Sequence, residues 1–259
     1  MERSDAAAAR GEATAAAAAG ATGLSPRARG RLTGLFQALE GVTSVIGQQY
    51  VLSKVVVHGD AAATARNIQA QEALFRLGFA SSVAGVAFHL VWAYLFYQLF
   101  RPVNRTLAAL ATLIIVVGCG LQALAAVLYG APLAVLQGVH SLSGLGAGQA
   151  QGLALAFLNL NSDVFNTYLV FFGIWLVLAG YLILRSTFMP RILGGLLMLD
   201  GLGWSLYLWP PLATFLFPVI AAVSALAELP LMVWLLVFGV NPRRWEEEER
   251  ESRGRASPA

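Results

Sequence analysis

Four ionisable side chains lie inside stretches of this sequence that are otherwise almost wholly apolar: Glu40, His89, Asp200 and Glu228. A charged side chain at the centre of a membrane helix costs ~2.5–3.5 kcal/mol on insertion scales. Three unpaired carboxylates would therefore cost on the order of 10 kcal/mol, which is comparable with the whole stability of a folded protein. We expect these groups to be paired, protonated or in contact with water, because one histidine cannot neutralise three acids.

Helical spacing puts small and polar residues beside these groups. At 3.6 residues per turn, one face of the first apolar stretch carries Thr33, Gln37, Glu40, Ser44 and Gln48. Similar faces elsewhere carry Ser82, Gly85, His89 and Ala93, and Ala221, Ser224, Ala225 and Glu228. The predicted ligand-binding cluster at mid-depth consists of Glu40, His89, Asp200, Glu228, Gln37 and Gln48. Such a cluster can bind a proton, a cation or a polar headgroup. The alternative is hydrogen-bonded contact between helices, which stabilises by ~0.6–2 kcal/mol per pair.

The composition indicates that hydrocarbon surrounds the elements holding these residues. Hydrophobic residues make up 58% of the 259 and charged residues 12%, whereas soluble domains average about 25% charged. The net charge is +3, but the sequence contains no basic patch interleaved with aromatic residues, so nucleic acid is not an expected partner. The single cysteine, Cys119, cannot form an internal disulfide. We predict an all-α, polytopic membrane helical bundle whose first partner is the lipid bilayer.

Six apolar segments reach roughly the 17–25 residues needed to cross a bilayer, and each must be helical because no water is available to its backbone. They cover about residues 32–52, 77–100, 106–129, 165–184, 192–209 and 212–240. The predicted domains are a disordered, Ala-rich tail at 1–30, a six-helix transmembrane domain at 31–241 and a charged tail at 242–259. The first tail lacks the features of a signal peptide.

Arginines cluster in alternate segments of the chain. Many of them occupy the first tail, the connectors after the second and fourth segments, and the last tail: Arg27, Arg29, Arg31, Arg101, Arg105, Arg185, Arg191, Arg243 and Arg244. The first connector has Lys54, Arg66 and Arg76, which Asp60 and Glu72 partly balance. The connector between the third and fourth segments has no Lys or Arg. The positive-inside rule then predicts both ends in the cytoplasm. The 16 arginines against one lysine, together with the excess of alanine, suggest a GC-rich bacterial genome. We predict a multi-pass protein of the bacterial inner membrane.

Two pieces of the connectors are expected to have structure of their own. Asp60 is a good helix N-cap, and residues 61–76 are predicted as one helix with a Glu72–Arg76 pair. An alternative is an outward polar site built from Asp60, Thr64, Arg66 and Asn67. The apolar residues 153–160 are too few to span, so we predict that they lie in the outer interface or re-enter partway.

Three patterns occur in order along the chain. They are Gly59-Asp60 followed by Thr64, Asn67 and Ile68; Pro102-Val103-Asn104-Arg105; and Gly180-Tyr181-Leu182 followed by Arg185-Ser186 and Pro190-Arg191. Together they resemble a bacterial family known as domain of unknown function 4386, over roughly residues 30 to 240. The resemblance implies an integral membrane protein with six helices and no particular activity. In the third pattern and just after it, Gly180, Gly194 and Gly195 are expected to allow close helix packing.

Signals of catalysis are weak in this sequence. It contains no H-E-x-x-H, G-x-S-x-G or phosphate-loop motif, and His58, His89 and His140 are too few for a histidine-rich metal centre. No cofactor or metal is predicted. The leading hypothesis is a binding or transport protein. The alternatives are a structural membrane subunit, as a homo-oligomer or with another membrane partner, and a lipid-modifying enzyme.

Overall fold

The computed structural model of the protein describes residues 24–139 and 144–256. Within these two ranges the chain folds into helices joined by short turns, and no strand occurs in them. The α-helices are α1 (Pro26–Ser44), α2 (Leu52–Val55), α3 (Ala61–Ala70), α4 (Glu72–Phe100), α5 (Arg105–Leu136), α6 (Ala147–Arg185), α7 (Arg191–Ser205), α8 (Pro210–Val237) and α9 (Pro242–Ala256). A π-helical segment, Val45–Val51, joins α1 to α2, and a 3-10 turn, Leu206–Leu208, follows α7. The prediction of an all-α chain is confirmed for the part described.

Six of these helices form a closed ring in chain order. Helix α1 packs on α4, α4 on α5, α5 on α6, α6 on α7, α7 on α8, and α8 packs back on α1. The main apolar core lies inside this ring and includes Trp92, Trp175 and Leu197. A smaller core around Val55 and Phe75 lies at the end of the ring where α2 and α3 are found.

The outward surface of the ring is apolar and its interior holds polar groups. Leu113 and Phe215 are 65% and 80% exposed, whereas Glu40, His89 and Asp200 are buried. A soluble protein shows the opposite arrangement, because water rewards exposed polar groups. Helices α4, α5, α6 and α8 are each long and apolar enough to cross a membrane. These features indicate a membrane protein.

Helices α1 and α7 also belong to the ring, but neither is both as long and as apolar as α4, α5, α6 and α8. Helix α1 carries Gln37 and Glu40 among its buried residues, and α7 has only 15 residues. The predicted count of six spans therefore stays a prediction for these two helices. Helix α1 begins at Pro26, so the last part of the predicted N-terminal tail is helical, while residues 1–23 lie outside the described residues.

Helix α6 is much longer than the span predicted at residues 165–184. Its 39 residues extend about 58 Å at 1.5 Å per residue, against ~30 Å of hydrocarbon. The prediction treated residues 153–160 as apart from the span at 165–184, and this is wrong, because they belong to the same continuous helix. The predicted position of residues 153–160 in the outer interface stays a prediction. The helix continues through Asn161, whose side-chain Nδ2 donates to the Ala125 carbonyl over 2.8 Å instead of competing with its own backbone.

Helices α6 and α7 meet backbone to backbone at two glycine pairs. A Cβ placed on Gly180 would lie 2.5 Å from the carbonyl oxygen of Gly194, and one on Gly201 would lie 2.5 Å from that of Gly173. No larger residue fits at this separation of the helices. The predicted close packing at Gly180 and Gly194 is confirmed. The prediction for Gly195 is wrong, since nothing lies within 4 Å of a Cβ placed there.

The last two helices differ in character. Helix α8 contains Pro218 and Pro230 in its interior, and each proline removes a backbone hydrogen-bond donor. Helix α9 is formed by the first part of the predicted charged tail. It is anchored by Trp245, which is buried and donates from Nε1 to the carbonyl of Leu99 over 2.8 Å.

Candidate functional site

The carboxyl group of Glu40 is the centre of a hydrogen-bonded network between α1, α4 and α5. Ser44 Oγ donates to Glu40 Oε1 over 2.7 Å, and Gln122 Nε2 donates to the same oxygen over 3.2 Å. Nδ1 of His89 lies 3.6 Å from this oxygen. Helical spacing explains the arrangement, because Glu40 and Ser44 are one turn apart on the same face of α1. The structure thus brings together two residues of the predicted cluster, Glu40 and His89.

The imidazole of His89 is enclosed by aromatic rings. Its centroid lies between 5.1 and 6.2 Å from the ring centroids of Trp92, Tyr168, Phe172 and Trp175. The Tyr168 hydroxyl is 3.3 Å from Nδ1. A neutral imidazole that carries its proton on Nδ1 can donate towards Glu40, so the contact does not require a charged histidine.

Asp200 and Glu228 form a second acidic group between α7 and α8. Asp200 is fully buried, and its carboxyl lies beside the Glu228 carboxyl, the Ser224 hydroxyl and the Trp204 indole. Ser224 Oγ donates to Glu228 Oε1 over 2.8 Å. Neither carboxyl oxygen of Asp200 has a hydrogen-bond partner of good geometry within the part of the chain that the structure describes. Two adjoining carboxyl groups in a medium of low dielectric repel when both are charged, so this pair can hold a shared proton.

A cavity of about 440 Å³ lies between α1, α6, α7 and α8 and connects the two acidic groups. Glu40 and Ser44 line it from α1, and Ser224 and Glu228 line it from α8. Its lining also contains the aromatic residues Phe165, Tyr168, Phe172, Trp204, Tyr207 and Phe217. No Lys, Arg or His is among the residues that line it. The cavity therefore presents acid and aromatic groups together.

A second cavity adjoins the first towards the end of the ring near α2. Its volume is about 410 Å³, and it shares Gln48, Gln49 and Ser162 with the first cavity. It continues to Ser53 and His58 in the segment that leads out of the ring. The two cavities lie one after the other between this end of the bundle and the acids Glu40 and Glu228.

The remaining residues of the predicted cluster lie around these cavities. Gln48 lines both cavities, and its Nε2 donates to Ser82 Oγ over 3.4 Å. Gln37 is buried behind the cavity and donates from Nε2 to the backbone carbonyl of Glu228 over 3.5 Å. Glu40, Glu228 and Gln48 are thus accessible from the cavity, whereas His89, Asp200 and Gln37 support it from behind.

Gln122, Tyr168 and Trp204 are among the residues of this site that were not identified from the sequence. Gln122 is the one amide side chain within the apolar segment 106–129, so the argument that found Glu40 also applies to it. Tyr168 and Trp204 give no such signal, because an aromatic residue in a membrane helix is usually part of the core or the lipid-facing surface.

Three of the four residues suggested as an outward polar site, Asp60, Thr64 and Asn67, make structural hydrogen bonds in the loop before α3 and at its start. Asp60 Oδ1 accepts from the backbone N–H of Ala63 over 2.8 Å, and Asn67 Nδ2 donates to the Val55 carbonyl over 3.3 Å. The buried hydroxyl of Thr64 accepts from the Val57 N–H over 2.9 Å. Arg66 is exposed. These contacts fix the loop before α3, which supports the structural interpretation of the motif over an outward polar site.

The helix boundaries at this end differ from expectation. The predicted helix over residues 61–76 is interrupted at Gln71 and becomes α3 and α4, although the Arg76–Glu72 ion pair is present at 2.7 Å. His58 is exposed, and His140 lies outside the described residues. Among the residues described, no group of three or more His, Cys, Asp or Glu could hold a metal ion.

Comparison with known families shows to which family the chain belongs. The model of the family described as "Domain of unknown function (DUF4386)" matches residues 32–239. The chain belongs to this family. No curated protein and no solved structure matches the chain. The DUF4386 region begins inside α1 and ends just after α8, so it contains both cavities and all of the ring except the first six residues of α1, and it leaves out α9.

Two sequence patterns of this DUF4386 chain have local structural roles. In the second pattern, Asn104 caps α5, because its Oδ1 accepts from the Leu107 N–H over 2.9 Å. In the third pattern, the Ser186 hydroxyl donates to the Ile183 carbonyl over 2.8 Å where α6 ends. Both patterns therefore stabilise turns between long helices, at a distance from the acidic cavity.

Proposed function

We propose that this protein is a small binding or transport protein of the bacterial inner membrane. Its six helices span the membrane with both termini in the cytoplasm, and its intramembrane acids take up a small polar or cationic ligand or a proton. The observation that carries this proposal is that Glu40 and Glu228 line one cavity, which adjoins a second cavity leading to the end of the ring.

The incomplete hydrogen bonding of the buried acids favours a binding site over simple contact between helices. A carboxyl that only joins two helices is expected to be packed against them with its hydrogen bonds made. Glu228 instead lines a cavity, and Asp200 beside it lacks a partner within the described ranges. Intramembrane acids that face a cavity are typical of ion and substrate pathways.

The distribution of arginines supports the proposed orientation. Arg31 donates to the Val237 carbonyl over 2.9 Å, and Arg101 lies 3.5 Å from Glu249 of α9. These contacts lie at the end of the ring opposite α2 and α3, where α1 begins and α8 ends. With the arginine-rich end in the cytoplasm, the cavities open to the other side of the membrane.

A panel of solutes tests the binding site. The thermal unfolding of the purified protein in detergent is followed with sodium, potassium, alkylammonium salts and neutral polyols, since a ligand that binds only the native state raises the melting temperature as its concentration exceeds its Kd. We expect at least one solute to give a concentration-dependent rise in melting temperature that is lost in the double variant Glu40→Gln/Glu228→Gln. The matched control is Glu72→Gln, which changes an acid of the outer ion pair and is expected to keep the rise.

Two results would overturn the proposal. One is that no solute stabilises the wild-type protein. The other is that every rise persists in the double variant, which would mean that the solute acts somewhere other than the cavity.

A further inference from the structure

One side of the larger cavity is a series of aromatic rings in mutual contact. Phe165, Tyr168 and Phe172 lie on one face of α6, and their neighbouring centroids are 5.2 and 5.9 Å apart. The series continues on the next helix, where Trp204 lies 6.5 Å from Phe172 and 6.0 Å from Tyr207 of the 3-10 turn. All five rings line the same cavity, so a ligand inside it meets aromatic surface along its length.

The other side of the cavity supplies negative charge and hydrogen-bonding oxygens. Helices α1 and α8 contribute Glu40, Ser44, Ser224 and Glu228, and these two helices pack on each other. The carboxyl of Glu228 is held by Ser224 over 2.8 Å, which fixes its position at the cavity surface. With no basic side chain among the lining residues, the acids have no fixed counter-ion inside the cavity.

We propose that the ligand of this cavity is an organic cation with an apolar or aromatic group, such as a quaternary or protonated amine. This inference rests on the proposed function and names its ligand class. A cation placed between the carboxyl groups and the ring faces is attracted by both, because the face of an aromatic ring carries partial negative charge. The apolar part of the same ligand gains from burial against the remaining rings.

Other ligand classes fit this lining less well. Calcium takes six to eight oxygen ligands and magnesium keeps an octahedral shell of oxygens, whereas six aromatic residues are part of the lining of this cavity. An anion would meet two acids without a lysine or arginine. A cavity of about 440 Å³ is within the range of sites that hold small organic molecules, so a bare ion would leave most of it unfilled.

Calorimetric titration of the purified protein separates the contributions of charge and ring. The probes are benzyltrimethylammonium, which has both features; tetramethylammonium, which has the charge alone; and benzyl alcohol, which has the ring alone. We expect benzyltrimethylammonium to bind with an affinity at least about tenfold above either of the other two, since each lacks one of the two attractions.

Variants assign the binding to the two sides of the cavity. We expect Glu228→Gln and Trp204→Leu each to weaken benzyltrimethylammonium binding by roughly tenfold, in line with a lost charge or ring contact. Tyr207→Leu provides a second test of the aromatic side if Trp204→Leu does not fold. Trp209→Leu is the matched control, because Trp209 is 67% exposed and does not line the cavity. It is expected to bind as tightly as the wild-type protein.

The outcomes distinguish this inference from the proposed function. If sodium or tetramethylammonium binds in a Glu228-dependent way and benzyltrimethylammonium binds no better, the site remains and the ligand class proposed here is wrong. If benzyltrimethylammonium binding is lost in Glu228→Gln but unchanged in both aromatic variants, the aromatic side is not used and the inference fails. If no probe and no solute of the panel binds, both proposals fail.

Discussion

At the scale of the residue, the acids of this bundle are accommodated in two different ways. Glu40 accepts hydrogen bonds from Ser44 and Gln122 and lies beside His89. Asp200 makes no hydrogen bond of good geometry among the residues described, although Ser224 and Trp204 lie nearby, and its carboxyl lies next to that of Glu228. A charged carboxylate is stabilised by well-placed donors, whereas a buried carboxyl that makes no such bond costs less free energy when it is neutral. The two acids should therefore respond differently to loss of charge.

We expect Asp200→Asn to change the free energy of unfolding by less than about 1 kcal/mol, because an amide replaces a neutral acid of the same shape. Gln122→Leu is expected to lower it by ~1–3 kcal/mol, because the Glu40 carboxylate loses a buried donor. Equilibrium unfolding of both variants in mixed micelles provides the comparison. A larger loss in Asp200→Asn than in Gln122→Leu would mean that Asp200 is charged and paired.

Single residues of the site were predictable where their type is costly in hydrocarbon. Glu40, His89, Asp200 and Glu228 were selected because an ionisable group in an apolar segment needs an explanation. The sequence could not predict which acid would have donors, since that depends on whether Gln122 of another helix reaches Glu40. The aromatic side of the cavity could not be predicted either, because nothing in the sequence distinguishes Trp204 and Tyr168 from aromatic residues of the core.

At the scale of the element, the glycine pairs control how closely α6 and α7 approach. We expect Gly180→Ala to lower the free energy of unfolding by ~1–3 kcal/mol, because its Cβ would meet the Gly194 carbonyl at 2.5 Å and the helices would have to separate. Thermal unfolding in detergent measures the effect.

Gly195→Ala is the matched control on α7, one residue from Gly194. Nothing lies within 4 Å of its Cβ, so we expect no loss, or a gain of up to about 1 kcal/mol from higher helix propensity. Equal losses in Gly180→Ala and Gly195→Ala would show that close packing is not the cause.

Helix boundaries were predicted best where local side chains determine them. Asp60 and Asn104 cap α3 and α5 through contacts three residues along the chain, which a sequence pattern can indicate. Within the long helix α6, the polar side chain of Asn161 donates to the Ala125 carbonyl of another helix, a contact that a local sequence pattern does not indicate. The π-helical segment Val45–Val51 has no sequence signature that we recognise, and it places Val45, Gln48 and Gln49 at the cavity.

At the scale of the whole molecule, the even number of spans is the next quantity to measure. In a Cys119→Ala background, single cysteines are introduced as Leu24→Cys, His58→Cys and Gly254→Cys, all at exposed positions. With a membrane-impermeant maleimide applied to intact cells, we expect labelling of the His58→Cys variant alone. After the membrane is opened, all three are expected to react.

Two labelling patterns would contradict this topology. Labelling of only one of the two terminal variants in intact cells would mean an odd number of spans, and α1 or α7 would then not cross the membrane. Labelling of both terminal variants, with His58→Cys protected, would mean that the whole ring is inverted and that the cavities face the cytoplasm.

The backbone contact between α6 and α7 has a mechanical consequence for any binding cycle. Because Gly173 meets Gly201 and Gly180 meets Gly194, the two helices can part only by losing a whole line of contact, so they move as one stiff body. Pro218 and Pro230 make α8 the more pliable neighbour, since each leaves a backbone carbonyl unpaired where the helix can bend. We therefore expect the rings of α6 and α7 to keep their positions when the proposed ligand binds, and any opening or closing of the cavity to come from α1 and α8, which carry Glu40 and Glu228.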